Sequence, residues 1–196
     1  MKNIFRFIKN LILFRLEYLP CFKRKFEYFG EKSMIHYPSM ISNFKDISIG
    51  NNTIILANSR IQIFNYLTGD KAKVIIGNNC YFGFHLSILA GGSISIGNDV
   101  LIASNVLITS ENHGTDPESS IPYMNQNLEC KNVIIGDGCW IGEKVSILPG
   151  VTIGEKSIVG TNSVVTKSIP PFSIAAGIPA RVIKKYNFEN HRWEKI

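Results

Sequence analysis

The sequence predicts an all-β solenoid, a prism of short strands stacked coil upon coil, and three regularities carry that expectation. Aliphatic residues recur at every sixth position, a glycine or other small residue usually follows them, and a small or branched residue stands four positions after each. From Ile135 the series runs Ile135-Gly136, Ile141-Gly142, Ile147-Leu148, Ile153-Gly154, Val159-Gly160, Val165-Thr166. The same step leads from Ile49-Gly50 to Ile55, from Ile76-Gly77 through Phe82-Gly83 to Ile88, and from Ile96-Gly97 through Ile102-Ala103 to Ile108. Four residues after the leading aliphatics come Thr53, Ser59, Cys80, Val100, Val106, Cys139, Val145, Val151, Ser157 and Ser163.

A period of six matches neither an α-helical face nor the two-residue alternation of a flat strand. It matches a prism in which each hexapeptide supplies one strand and one corner, three hexapeptides close a coil, and coils pair through parallel strands. The leading aliphatic is expected to point inward and stack on its counterpart one coil above. The glycine, often followed by Asn or Asp, is expected at the corner, where positive φ is needed. A chance run of Ile-Gly pairs would not hold phase over so many steps.

Composition sets the outer limits. With 196 residues, 45% hydrophobic and 18% charged, the chain suits one domain with a sizeable core rather than a disordered polymer. A formal charge of +6 favours an acidic partner without choosing among nucleic acid, lipid, sugar or phosphorylated cofactor. The four cysteines form no C-x-x-C pair, which argues against zinc of the usual spacing, and Cys80 and Cys139 fall where a small core residue is wanted. Residues 1–19 are apolar and basic, but Lys9, Arg15 and Glu17 interrupt the run and no small-x-small cleavage site follows. The expected location is cytoplasmic, with the inner face of the membrane as an alternative site of residence.

The pattern fails in two places. A smaller irregularity spans Gln62 to Lys73, and between Thr109 and Asn132 the repeat gives way to the polar run Ser110-Glu111-Asn112-His113-Gly114-Thr115-Asp116-Pro117. In a solenoid such a break reads as a loop thrown out from one corner, where function concentrates. Residues 1–45 are expected as an N-terminal helical and capping segment, 46–183 as the β-helix with its loop at 109–132, and 184–196 as a short C-terminal cap. Within the first segment Ile4, Ile8, Leu11 and Ile12 form an apolar stripe at helical spacing beside Lys2, Arg6 and Lys9. That amphipathic helix either caps the first coil or, with Lys23-Arg24-Lys25, makes a peripheral membrane contact through residues 1–25.

Four stretches are more specific than the repeat itself: Trp140-Ile141-Gly142, Pro149-Gly150-Val151-Thr152-Ile153-Gly154, Val165-Thr166-Lys167-Ser168-Ile169-Pro170-Pro171 and Ala175-Ala176-Gly177-Ile178-Pro179-Ala180-Arg181. On these the sequence resembles the hexapeptide-repeat acetyltransferases, particularly the galactoside, maltose and surface-polysaccharide O-acetyltransferases, over Ile47 to Lys184. The resemblance implies a left-handed parallel β-helix, against the usual right-handed crossover, and a homotrimer with active sites between subunits. It implies acetyl-CoA as co-substrate, no metal, and a carbohydrate acceptor.

His113 matches the position of the family's catalytic histidine. A neutral imidazole, with an ordinary pKa of about 6.5, can take the proton of an attacking hydroxyl at neutral pH. Asp116 is a candidate orienter or acceptor contact, and Asn112 a candidate acceptor contact. The resemblance places an oxyanion-binding amide around Trp140-Ile141-Gly142, the pantetheine arm along Gly160, Thr161 and Thr166, and the phosphates near Lys167, Arg181 and Lys184. Cys130, near the loop, has no surroundings that would depress a thiol pKa, so direct transfer is preferred to an acyl-enzyme.

Galactoside and maltose acetyltransferases carry an acceptor-binding asparagine at a position aligning with Gly83. Here His85 lies two residues later, read either as an acceptor contact or as an exposed strand histidine, and the departure favours polysaccharide or glycolipid precursors over small galactosides. The runner-up activity is N-acetylation of a nucleotide-linked amino sugar, and the reading from another class is a non-catalytic structural solenoid. Scattered rather than clustered basic residues argue against a nucleic-acid partner.

Overall fold

The computed structural model describes residues 23–69 and 71–196. Short strands wind into coils with three faces. The first face stacks Tyr28–Phe29, Ile47–Ile49, Val74–Ile76, Ile94–Ile96, Val133–Ile135 and Thr152–Ile153 in parallel. The second stacks Met34–Ile35, Ile54–Ile55, Tyr81–Phe82, Leu101–Ile102, Trp140–Ile141 and Ile158–Val159, and the third Met40–Ile41, Arg60–Ile63, Ser87–Ala90, Leu107–Thr109, Ser146–Ile147 and Val164–Val165.

The six-residue aliphatics form the inward columns. Ile49, Ile76, Ile96, Ile135 and Ile153 are successive register partners on the first face. Ile55, Phe82, Ile102, Ile141 and Val159 stack on the second, and Ile61, Ile88, Ile108, Ile147 and Val165 on the third. All are buried, and burying such a side chain fully is worth about 1.5–3 kcal/mol.

The corner glycines work differently from the expectation. Gly50, Gly77 and Gly97 are not among the residues with positive φ; the left-handed position falls two residues later, at Asn52, Asn79 and Asp99. The glycines are required because coils touch there. A Cβ on Gly50 would lie 2.5 Å from the carbonyl oxygen of Gly77, and one on Gly77 equally close to that of Gly97.

Two polar ladders satisfy the corner backbone. Asn51, Asn78, Asn98 and Asp137 each accept through Oδ1 from a backbone N–H of the coil below, those of Glu31, Asn51, Asn78 and Asn98, at 2.7–2.9 Å. Inside the corner Ser33, Thr53, Cys80 and Cys139 donate to the carbonyls of Gly50, Gly77, Gly97 and Gly154. The small residues of the repeat thus supply donors as well as fit. Burial pushes the Cys80 and Cys139 thiols above the usual range, which removes both as nucleophiles.

Among the described residues the coils begin at Tyr28, well ahead of the expected boundary at 46, because Tyr28 and Phe29 pair with Ser48 and Ile49. The apolar stripe of the expected N-terminal helix lies outside the described residues. At the other end Ser173–Gly177 continues the second face, and Ala180–Asn187 and Arg192–Lys195 add antiparallel strands to it. The terminal element therefore starts at Ala180 rather than 184 and lengthens one face. Edge-on ring contacts of Tyr186 with Trp193 and Phe188, at 5.3 and 5.1 Å, hold this hairpin.

Gly77→Ala is expected to lower stability by about 1–3 kcal/mol, since the added methyl group must force neighbouring coils away from each other. Chemical denaturation measures it; an unmoved midpoint would mean that the corner has slack.

Candidate active site

Both expected breaks fall on the same corner, between the third face and the first. After the second coil the chain leaves this corner at Phe64, forms one helical turn, Asn65–Thr68, and returns at Lys73. After the fourth coil it leaves at Ser110 as an antiparallel hairpin, Glu111–His113 against Leu128–Cys130, with a long tip between them. The corner of the third coil, lying between the two excursions, is the bare Gly91-Gly92. A Cβ on Gly91 would stand 2.6 Å from both Cys130 Sγ and Glu111 Cβ, so this glycine lets the base of the hairpin lie against the stack.

The two excursions enclose a recess of about 70 Å³ lined by Phe64, Leu67, Glu111, His113 and Leu128. His113 is exposed at its edge. Strand alternation puts Glu111 and His113 on one side of the hairpin and Asn112 on the other. The Asp116 carboxylate accepts from the Glu118 N–H at 2.9 Å, closing a turn in the loop tip, while Gln126 bonds the Asp116 backbone in both directions. Glu111, rather than Asp116, is the carboxylate that shares the recess with His113. A larger cavity, about 890 Å³, opens at the first coil beside Arg24, Lys25, Phe26, Asn43, Phe44, Lys45 and Asp46. No candidate catalytic residue lines it, so chemistry and not size locates the site.

The remaining candidates are spread around the prism. Thr166 and Lys167 sit at the same kind of corner as His113, just after Val164–Val165. Gly142, Gly160 and Thr161 sit at the corner between the second and third faces, Trp140 points outward from the second face, and Arg181 and Lys184 lie on the terminal strand that extends it. Trp140 and Gly142 donate their amides to Ser157 and Val159 at 2.9 and 2.8 Å, within the coil ladder. These two cannot serve an oxyanion. The next amide at that corner, Glu143, has no acceptor among the described residues.

His85 is a corner residue, not a strand one. Its φ of 59° matches Asn58, Asn105 and Asn162 at the equivalent turns, and its N–H donates to Ala57. Gly83 is buried, and a Cβ there would meet the Ser104 N at 2.6 Å, so no larger side chain fits where the galactoside enzymes place their asparagine.

One feature was hidden in the repeat. The outward residues of the second face, Ile54, Tyr81, Leu101, Trp140, Ile158 and Ile174, are register partners in one continuous apolar stripe. On the first face Ser48, Ser95 and Thr152 interrupt the outward positions, and on the third Arg60, Ser87 and Ser146 do. Tyr81, Leu101 and Trp140 remain 42–49% exposed.

Sequence comparison fits this geometry. Residues 132–167 match the bacterial transferase hexapeptide model (six repeats), and residues 73–110 the hexapeptide repeat of succinyl-transferase. WbbJ of Escherichia coli K12, named for O-acetyl transfer in lipopolysaccharide biosynthesis, is 37% identical over 97% of this chain and 92% of its own length. The chain belongs to the hexapeptide-repeat acetyltransferase family. Its coils are those of the family's left-handed parallel β-helix. The galactoside O-acetyltransferase of E. coli K12 is 41% identical over 59% of this chain and 56% of its own length, so that match spans about half of each. Among solved structures, AntD, an N-acyltransferase from Bacillus cereus in complex with dTDP and 3-hydroxybutyryl-CoA, superposes with a TM-score of 0.71 at 27% identity, over 86% of this chain and 87% of that one. A galactoside acetyltransferase in complex with coenzyme A gives 0.55 at 30% identity, over 80% and 66%.

Within this family fold, His85→Asn should leave both stability and any acetyl transfer unchanged, because asparagine already occupies the equivalent turns. A fall in turnover with an unchanged melting temperature would return His85 to the acceptor site.

Proposed function

We propose that this protein transfers an acetyl group from acetyl-CoA to a sugar hydroxyl of a surface polysaccharide, glycolipid or oligosaccharide, with His113 as general base. The observation that carries the reading is an exposed imidazole at the rim of a recess, on the hairpin that interrupts the stack. The acceptor oxygen attacks the thioester carbonyl carbon while His113 Nε2 takes its proton. The tetrahedral intermediate collapses with loss of the CoA thiolate, which recovers the proton from the imidazolium. The Glu143 amide is the corner donor suited to the oxyanion. Lys167, Arg181 and Lys184 supply positive charge for the phosphates of CoA. Among the described residues no group of three His, Cys, Asp or Glu is placed to hold a metal, and the proposed steps use none.

The working unit is proposed to be a homotrimer. His113 leaves one corner of the prism, whereas Trp140, Gly142, Gly160 and Thr161 belong to the second face and the corner beyond it. A second copy packed on the apolar stripe of that face would bring its own imidazole to these residues. The alternative acceptor is the amine of a nucleotide-linked sugar, favoured by the higher TM-score to AntD than to the galactoside enzyme. Alkali treatment of the acetylated product separates the two, since an ester is cleaved and an amide persists.

His113→Ala is expected to lower transfer by roughly 100-fold or more, with CoA affinity by calorimetry unchanged and a mass in solution three times 21.9 kDa. Undiminished turnover would remove His113 from the chemistry, and a monomeric mass would remove the shared site.

A contact with the inner membrane face through residues 1–25 belongs to the same reading. It draws support from Lys23, Arg24 and Lys25 in sequence and from Lys45 beside the open cavity at that end. Full-length protein is expected to cosediment with phosphatidylglycerol vesicles and to be released by high salt; equal binding to neutral phosphatidylcholine vesicles, or none to either, would refute it.

A further inference from the structure

The excursion at 64–73 is not needed to close the coil, since the corner above it turns with only Gly91-Gly92. Yet its described residues are tied to the stack. The Phe64 amide donates to Ala90 at 2.8 Å, the Asn65 side chain accepts from the Ala72 N–H at 2.9 Å and donates to Asp46, and Lys73 pairs with Glu27 of the first coil. This bracing holds Phe64 and Leu67 against the hairpin, where they and Leu128 form the apolar side of the recess. Leu67 stays 57% exposed and is not used by the core. Among the described residues that line the recess Glu111 is the one carboxylate, on the same side of its strand as His113.

We propose that this excursion and Glu111 form the acceptor subsite, and that it selects a neutral sugar presenting its C–H face to Phe64 and Leu67. A hydroxyl neighbouring the reacting one donates to the Glu111 carboxylate. The inference rests on His113 as base, because the recess is assigned to the acceptor by the requirement that the attacking hydroxyl reach that imidazole. Phe64 and Leu67 offer no polar group, so a polar ring edge turned towards them would lose its water without compensation. Glu111 is a hydrogen-bond acceptor only, so it takes a hydroxyl or an amine and repels a sugar carboxylate. Acidic sugars are thereby disfavoured although the chain as a whole carries +6. The excursion is thus a specificity element, and Leu67 and Glu111 are its separable halves.

The test uses matched hexose and hexuronic acid oligosaccharides as acceptors, with KM measured separately for acceptor and for acetyl-CoA. The intact protein is expected to acetylate neutral members and to discriminate against the acidic ones. Leu67→Asp should raise the acceptor KM roughly tenfold, with the KM for acetyl-CoA, the melting temperature and the solution mass unchanged. Glu111→Gln should narrow the discrimination against hexuronic acids. Equal use of both sugar classes by the intact protein, transfer to no neutral member, or an unmoved acceptor KM in Leu67→Asp would overturn the proposal. So would a fall in solution mass in that variant, which would assign the recess to a second copy of the chain. His113→Ala keeps the two readings apart. If it abolishes transfer while Leu67→Asp and Glu111→Gln leave acceptor KM and selectivity unmoved, the subsite fails and the base stands. If it leaves transfer intact while they move them, the base fails and the specificity element remains.

Discussion

Everything in this molecule follows from the distance between stacked coils. Parallel strands lie about 4.8 Å apart, and the chain must hold that spacing around the corners as well as along the faces. On the faces the parallel ladder holds it. At the corners the backbone turns away from its neighbours, and the spacing survives only where no Cβ intervenes. Gly50 and Gly77 show the limit, each with a carbonyl oxygen of the next coil 2.5 Å from where a methyl group would be. Turning backbone also strands polar groups, and the Asn and Ser/Thr/Cys ladders return partners to those at the corner between the first and second faces. Leaving one unpaired when buried costs about 1–3 kcal/mol, which gives the corner columns their composition.

The same constraint decides where function can be placed. A face has no room for extra residues without losing register with both neighbours, whereas a corner can release the chain and take it back. Both excursions leave the corner between the third and first faces, on coils separated by one that turns at Gly91-Gly92. Because that intermediate corner is bare, the hairpin bearing His113 and the helical turn at Asn65–Thr68 face each other across it. The recess is a product of two insertions and one deliberate absence of side chains.

A prism has a further consequence for the site. Groups on different corners cannot converge within one chain, because the packed aliphatic columns lie between them. His113 and the residues around Trp140 and Gly160 are divided in this way. An apolar stripe from Ile54 to Ile174 runs along the second face beside the latter group. That separation, together with that stripe, is why the proposed reaction is assigned to an assembly of copies rather than to one.

By itself the sequence determined the period, the three-faced coil, the inward columns and the two breaks, down to individual residues such as Ile49, Phe82 and Val165. A stacked repeat writes the same local requirement into every coil, so its core is legible without long-range information. A break in the pattern also marked the loop that carries His113, and the family resemblance picked that imidazole out of it. What the sequence could not determine was anything set by which coils lie against each other. Glu111 was visible only as the residue two before His113, and Phe64 and Leu67 only as members of an irregular stretch far away in sequence. The corner glycines suggest conformational freedom in the sequence, whereas the carbonyl they admit belongs to another coil and so is invisible there. The same is true of the second face, whose outward residues, one per coil, become a stripe only when stacked. Local chemistry fixed the repeat, and only stacking decided what its outward and inserted residues meet.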